Sequence, residues 1–229
     1  MSTQEDTTAA SMPVRIAIAV VAAAALLLLG GAGGLLIATP SHDSDPAPSA
    51  VDVGFAQDMS THHQQAVTMA TLAREHASDV AVRQLAFDIE TNQRDQIGRM
   101  QGWLNLWGEP SGSSSPMQWM GSGGHEHGTD HSMHGASTGS GAPTMPGMAD
   151  TAELDRLRGL DGPAFDAYFL QLMLRHHEGG APMARYGAEH AGLGPVRGLA
   201  ANMLGSQGTE SELMRGMLAD RGVAPLPAN

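Results

Sequence analysis

The chain has 229 residues, with 24 Asp and Glu against 12 Lys and Arg; its net charge of −12 excludes the basic face of a nucleic-acid binder and favours cations. It contains no cysteine, which excludes disulfides, iron–sulfur clusters and thiolate metal sites. Aromatic residues make up only 4%, against 15 Met and 11 His, a mixture that suits packed helices and leaves thioether and imidazole as the soft metal donors.

Residues 1–15 form a short N-terminal segment, read as cytoplasmic. From Ile16 to Ala38 the chain carries no charge (IAIAVVAAAALLLLGGAGGLLIA), and a run of ~20 such residues spans a bilayer core. This stretch reads as a transmembrane signal anchor, followed by a Pro-, Ser- and Asp-rich tether over 39–50. A cleaved secretory peptide is the alternative, with small-residue sites near Leu36–Ala38 and Ala47–Ala50. Either way the remaining chain is exported. The expected location is the cell membrane, single-pass, with the body outside, or secreted if the segment is removed.

Beyond the tether the sequence repeats itself after 114 residues without a gap. Phe55, Gln57, Met59, His62, His63, Met69, Ala70, Glu75, His76 and Ala77 match Phe169, Gln171, Met173, His176, His177, Met183, Ala184, Glu189, His190 and Ala191. Val82, Arg83, Leu85, Ala86, Gln93, Met100, Gly102 and Leu104 match Val196, Arg197, Leu199, Ala200, Gln207, Met214, Gly216 and Leu218. Each copy reads as a helical hairpin, the first over 51–108 and the second over 161–222. In the first, a helix from about Val51 to His76 precedes one capped by Ser78 that stops at Gly108. In the second, a helix from about Pro163 to His190 ends at Gly192, and one that starts near Pro195 closes at Gly222. Pro182 lies inside the third helix, where it removes a hydrogen bond and predicts a kink or weakened turn. Neither pair can bury its apolar stripe alone, so the expected fold is all-α: a four-helix bundle made of two duplicated hairpins, plus the transmembrane helix.

The stretch 109–160 between the hairpins is Gly-, Ser- and Pro-rich and reads as a flexible linker; a tail covers 223–229. The linker contains H-E-H-G-T-D-H-S-M-H, so that His125, His127, His131, Met133 and His134 form a secondary chelating cluster of low specificity.

Met59, His62 and His63 stand at i, i+3 and i+4 and project to one side of a helix, as do Met173, His176 and His177. Met69 and His76 continue the first stripe at seven-residue spacing, and Met183 and His190 occupy the matching places in the second. Any one of these residues alone is more simply a packed Met or a hydrogen-bonded core His. The recurrence changes the balance, because adjacent imidazoles in an apolar helix carry a burial cost in both copies. Packed together, the twin motifs offer a nitrogen- and sulfur-rich site for a metal ion. Copper, as Cu(I) or Cu(II), is the metal that thioether beside imidazole favours, with other transition metals as alternatives. Glu75 and Glu189 are the carboxylates placed to orient neighbouring rings.

The pattern Asp52, Phe55, Met59, His62, His63, Ala66, Met69, Ala70, with its second occurrence at Asp166, Phe169, Met173, His176, His177, Met183, Ala184, resembles the bacterial domain-of-unknown-function family 305. The resemblance covers about Val51–Gly108 and Asp161–Gly222. It implies a ferritin-like four-helix fold in exported proteins, some of which bind copper and contribute to copper tolerance. The chain departs from the pattern at Gly180, where the first copy has Ala66, and at Pro182. The ferritin-like fold does not bring di-iron chemistry with it, because no Glu-x-x-His pair occurs anywhere in the chain.

The expected function is therefore copper sequestration, buffering or tolerance at the outer membrane face, without catalysis. Its partners would be the metal ion and the membrane, with no nucleic acid and a homo-oligomer left open. A helical interaction or pH-sensing module with structural histidines is the alternative.

Overall fold

A computed structural model of the chain describes residues 47–121 and 145–229. These residues contain five α-helices and no strand: α1 (Ala50–His76), α2 (Val80–Trp107), α3 (Thr151–Arg158), α4 (Gly162–His190) and α5 (Gly194–Asp220), with a 3-10 turn at Gln118–Met120. No helix among them is long and apolar enough to cross a membrane. The expected span at 16–38 and the cluster from His125 to His134 lie outside the described residues.

The helix ends follow local chemistry. Ser49 starts α1 with a capping box, its Oγ accepting from the Asp52 amide at 3.2 Å while Asp52 Oδ2 accepts from the Ser49 amide at 2.7 Å. The cap of α2 is Asp79, whose Oδ1 accepts from the Ala81 amide, and not the expected Ser78. Ser78 is committed elsewhere: its amide and hydroxyl both donate to Asp166. Gly108, with φ +73°, closes α2 in the left-handed region that glycine tolerates. The third long helix ends at His190 with Ala191 as its cap, so Gly192 is not the terminator. A Cβ on Gly192 would stand 2.9 Å from Asp52 Oδ2, so this glycine makes room for a contact instead. The same helix runs unbroken through Pro182.

α1 pairs with α2 and α4 with α5 as antiparallel hairpins, and α1 and α4 face each other between them. Polar ties cross between the hairpins reciprocally. Asp52 accepts from the Gly192 and Leu193 amides at 3.0 Å each, and Asp166, 114 residues on, accepts from the Ser78 and Asp79 amides at 3.0 and 3.1 Å. Within the hairpins, Gln57 donates to the Pro110 carbonyl and Gln171 to that of Ala224, again 114 residues apart. Exchanging the hairpins leaves this framework unchanged.

Both described ends of the linker pack on the bundle, which corrects the expectation of a flexible spacer throughout 109–160. Trp119 is buried with its indole N–H on Asp58 Oδ2 at 2.7 Å, and Gly54 is small because a Cβ there would stand 2.4 Å from the Trp119 ring. Residues 145–149 form a strap over α4, held by Gln65 through a reciprocal pair of bonds with Ala149 and by Asn229 on Gly147 and Met148. The strap leads into α3, a helix absent from the sequence-based expectation.

Candidate metal centre

The apolar interior is divided in two. One cluster gathers Met69, Leu85, Ile89, Phe165, Phe169, Met173 and Met214; the other gathers Phe55, Met59, Met100, Trp119, Met183 and Met203. Each such side chain contributes ~1.5–3 kcal/mol of burial. Between the clusters, every long helix turns polar at the same level: His62 and His63 on α1, Gln93 and Gln96 on α2, His176 and His177 on α4, Gln207 and Glu210 on α5. All but Glu210 are buried.

The four imidazoles are neighbours. The His62 and His176 rings lie 3.8 Å apart between centroids, tilted by 34°, while His63 and His177 flank them at 6.4 and 6.2 Å from their own sequence neighbours. Each ring hydrogen-bonds through Nε2 to an acceptor: His62 to the Pro146 carbonyl at 3.2 Å, His176 to the His62 carbonyl at 3.0 Å, His63 to Gln96 Oε1 at 2.7 Å and His177 to Glu210 Oε2 at 2.6 Å. A carbonyl or carboxylate oxygen can only accept, so Nε2 carries the proton in all four rings. The amide of Gln96 is oriented for this by its own bond to Asn92. None of the four Nδ1 atoms has a hydrogen-bond partner.

Burial keeps His62, His63 and His176 neutral. It pushes His62 down to about 4 against the opposing bond to Pro146, and His63 down to about 3 with the nearby His62 adding to the effect. His176 is lowered well below its ordinary value by burial and then by His62, His177 and His63 around it. Neutral imidazole with one nitrogen proton tied to an oxygen acceptor and the other nitrogen bare is the form in which His binds a metal. Gln93, through both amide atoms, and Gln207, through its amide nitrogen, are also buried without partners in this layer. Such a concentration of unpaired polar atoms is rare in a native interior, where each costs ~1–3 kcal/mol. Imidazole nitrogen beside thioether sulfur is donor chemistry that soft metal ions accept. As arranged, no group of three or more His, Cys, Asp or Glu among the described residues could hold one metal ion, so oxyanion or all-imidazole coordination is not preformed.

The sequence-derived candidates thus separate. His62, His63, His176 and His177 come together. Met59 and Met183 lie in the cluster on one side of them, Met69 and Met173 in the cluster on the other. His76 and His190 do not join: each is 14 residues, ~21 Å, further along its helix. His76 binds Asp161 through Nδ1 and stacks on Phe165, while His190 is half-exposed beside Tyr186 and Glu189. Glu75 and Glu189 orient no ring of the layer. That part falls to Gln96 and Glu210, which the repeat comparison passed over because position 96 and its counterpart 210 differ.

Residues 52–218 match the family described as Domain of unknown function (DUF305). Among solved structures, a DUF305 protein of Streptomyces coelicolor, named as a candidate secreted protein, is 43% identical over 77% of this chain and 97% of its own, with a TM-score of 0.66. A DUF305 fragment from Deinococcus radiodurans is 29% identical over 76% and 99%, with a TM-score of 0.59. CopM in its Cu(I)-bound form is similar in fold, 22% identical over 74% and 96%, with a TM-score of 0.54; its Cu(II)- and Ag-bound forms also match. Among curated proteins none matches.

Proposed function

The chain belongs to the DUF305 family, and from that premise we propose that it is an exported copper-binding protein whose histidine layer takes up the ion for sequestration or buffering. The observation that carries the reading is the set of four adjacent imidazoles, each with Nε2–H engaged and Nδ1 bare. His62 and His176 form the central pair, with His63 and His177 beside them. Thioethers stand on both sides, Met59 and Met183 on one and Met69 and Met173 on the other. Nitrogen with thioether sulfur is a donor set that suits Cu(I) and, through the imidazoles, Cu(II). The copper- and silver-bound forms of CopM support the same chemistry for a similar fold. Bound copper would supply a soft cation that ties the two hairpins at their centre.

Export rests on the uncharged segment 16–38 and on the name of the Streptomyces coelicolor relative. Retention of that segment as a membrane anchor is part of the proposal, with secretion as its alternative. The cluster of His125, His127, His131, Met133 and His134 would serve as a capture arm of low specificity.

The test is titration of the purified chain with Cu(I) and Cu(II), with and without His62→Ala, His63→Ala, His176→Ala and His177→Ala together, in a background where the five linker donors are Ala. Loss of one tight equivalent in the fourfold variant is the expected result; equal binding by both proteins removes the layer from the function. A structural-histidine module is the second reading, favoured by the fact that every ring already has one hydrogen bond. It predicts a layer that stays unchanged when copper is added.

A further inference from the structure

The two hairpins differ where their outer faces cover the histidine layer. Between α4 and α5 a groove of about 260 Å³ is lined by His177, Gln207, Gly208 and Ser211, with Glu178 and Arg215 at its rim. It therefore reaches two groups of the buried layer, and both carry an atom without a partner: Nδ1 of His177 and the amide nitrogen of Gln207. Gln207 is only 6% exposed and His177 1%, so the groove ends on interior groups and not on surface ones. Across the rim, Arg215 donates to Glu178 at 2.6 Å, tying α5 to α4 with two half-exposed side chains.

The first hairpin carries bulkier residues at the matching place. Position 208 is Gly but its counterpart 94 is Arg, and position 211 is Ser where its counterpart 97 is Ile. Arg94 and Arg74 both bind Glu90, at 3.0 and 3.1 Å, forming an ion-paired cover between α1 and α2. Burial would raise the Glu90 carboxyl, but the two guanidiniums hold it below the usual range, so the cover persists as a charged network. A groove on that face is lined by Gln64, Ile97 and Gln101 among others, and its lining includes neither His63 nor Gln93.

We propose that the α4–α5 groove is the port through which the metal ion reaches and leaves the histidine layer, with the Glu178–Arg215 bridge across its mouth, and that the α1–α2 face is sealed. This rests on the metal-binding reading above and adds its direction: the ion meets His177 and Gln207 first. Small residues at 208 and 211 open the passage, and Arg and Ile at 94 and 97 shut its twin.

The test exchanges the two faces in full-length chains whose linker donors are Ala. Gly208→Arg with Ser211→Ile is designed to close the port; a Cβ at 208 meets nothing within 4 Å, so the added side chain leaves the helix without a clash. Arg94→Gly with Ile97→Ser opens the twin. Two measurements are made, release of bound Cu(I) to excess bathocuproine disulfonate, and metal-free exchange of the imidazole Cε1 hydrogen for deuterium, read per residue by mass spectrometry. Closing the port is expected to slow release about tenfold at unchanged stoichiometry, a barrier change of ~1.4 kcal/mol. Opening the twin is expected to speed release, and in the wild type His177 exchanges faster than His63. Equal exchange at the two histidines overturns the port whether or not metal binds. Unchanged release from the closed variant overturns it while leaving copper binding in place. A wild-type chain that takes up no Cu(I) overturns the metal reading and, with it, the port's role as a metal passage.

Discussion

Single atoms decide what the histidine layer is. His62, His63 and His176 are held neutral by burial, their folded values lying well under the ordinary 6.5. As pH falls below ~6.5 the unfolded chain binds protons on these residues that the folded chain does not. Their effect is absent above neutrality, and stability then drops with acidification until the folded values near 4 and 3 are approached. Each residue contributes a slope of up to ~1.4 kcal/mol per pH unit. Urea melts of metal-free protein between pH 7.5 and 4.5 should show the midpoint falling in that window; a flat profile would mean the rings are not buried neutral. Gly180 is set by the same layer. A Cβ there would stand 2.8 Å from His62 Cε1, which explains why the second half departs from Ala66 of the first. Gly180→Ala should force the His62 ring aside, at a cost of ~1–3 kcal/mol seen in thermal melts and with weaker copper binding in titration.

At the scale of elements, the strap 145–149 meets α4 in a close backbone-to-backbone contact. Gly147, with φ +80°, lies against Gly179, and a Cβ on Gly179 would come within 2.5 Å of the Gly147 backbone. Neither partner can swing away as a side chain would. Gly179→Ala should therefore lift the strap and free the His62 Nε2–H from the Pro146 carbonyl, visible as a changed His62 imidazole signal in NMR with the other three rings unmoved. The four long helices were legible in the sequence because the Met/His stripe, Gly108, Pro195 and Gly222 speak through local rules. The strap was not: Pro146 and Gly147 signal only a loop, and its docking depends on Gly179 and Asn229, far away in sequence. The same holds for Trp119, whose burial depends on Asp58 and on the space above Gly54. The convergence of His62 and His176 was legible from the doubled motif. Gln96 and Glu210 were not, because identity across the repeat was the signal used and these two positions serve one purpose with different residues.

For the molecule as a whole, the reciprocal ties matter most. Asp52 holds the start of α5 and Asp166 the start of α2, so each hairpin supplies the anchor the other lacks. Losing these part-buried hydrogen bonds to charged carboxylates would cost ~1.5–3 kcal/mol each. Because the contacts run in both directions, covalent continuity between the halves is expected to be dispensable. A protease site placed within 122–144 should yield two fragments that still elute together on size exclusion and melt as one species. Adding Asp52→Ala and Asp166→Ala to the nicked protein should let the fragments drift apart, turning one molecule into two peptides that find each other only by concentration.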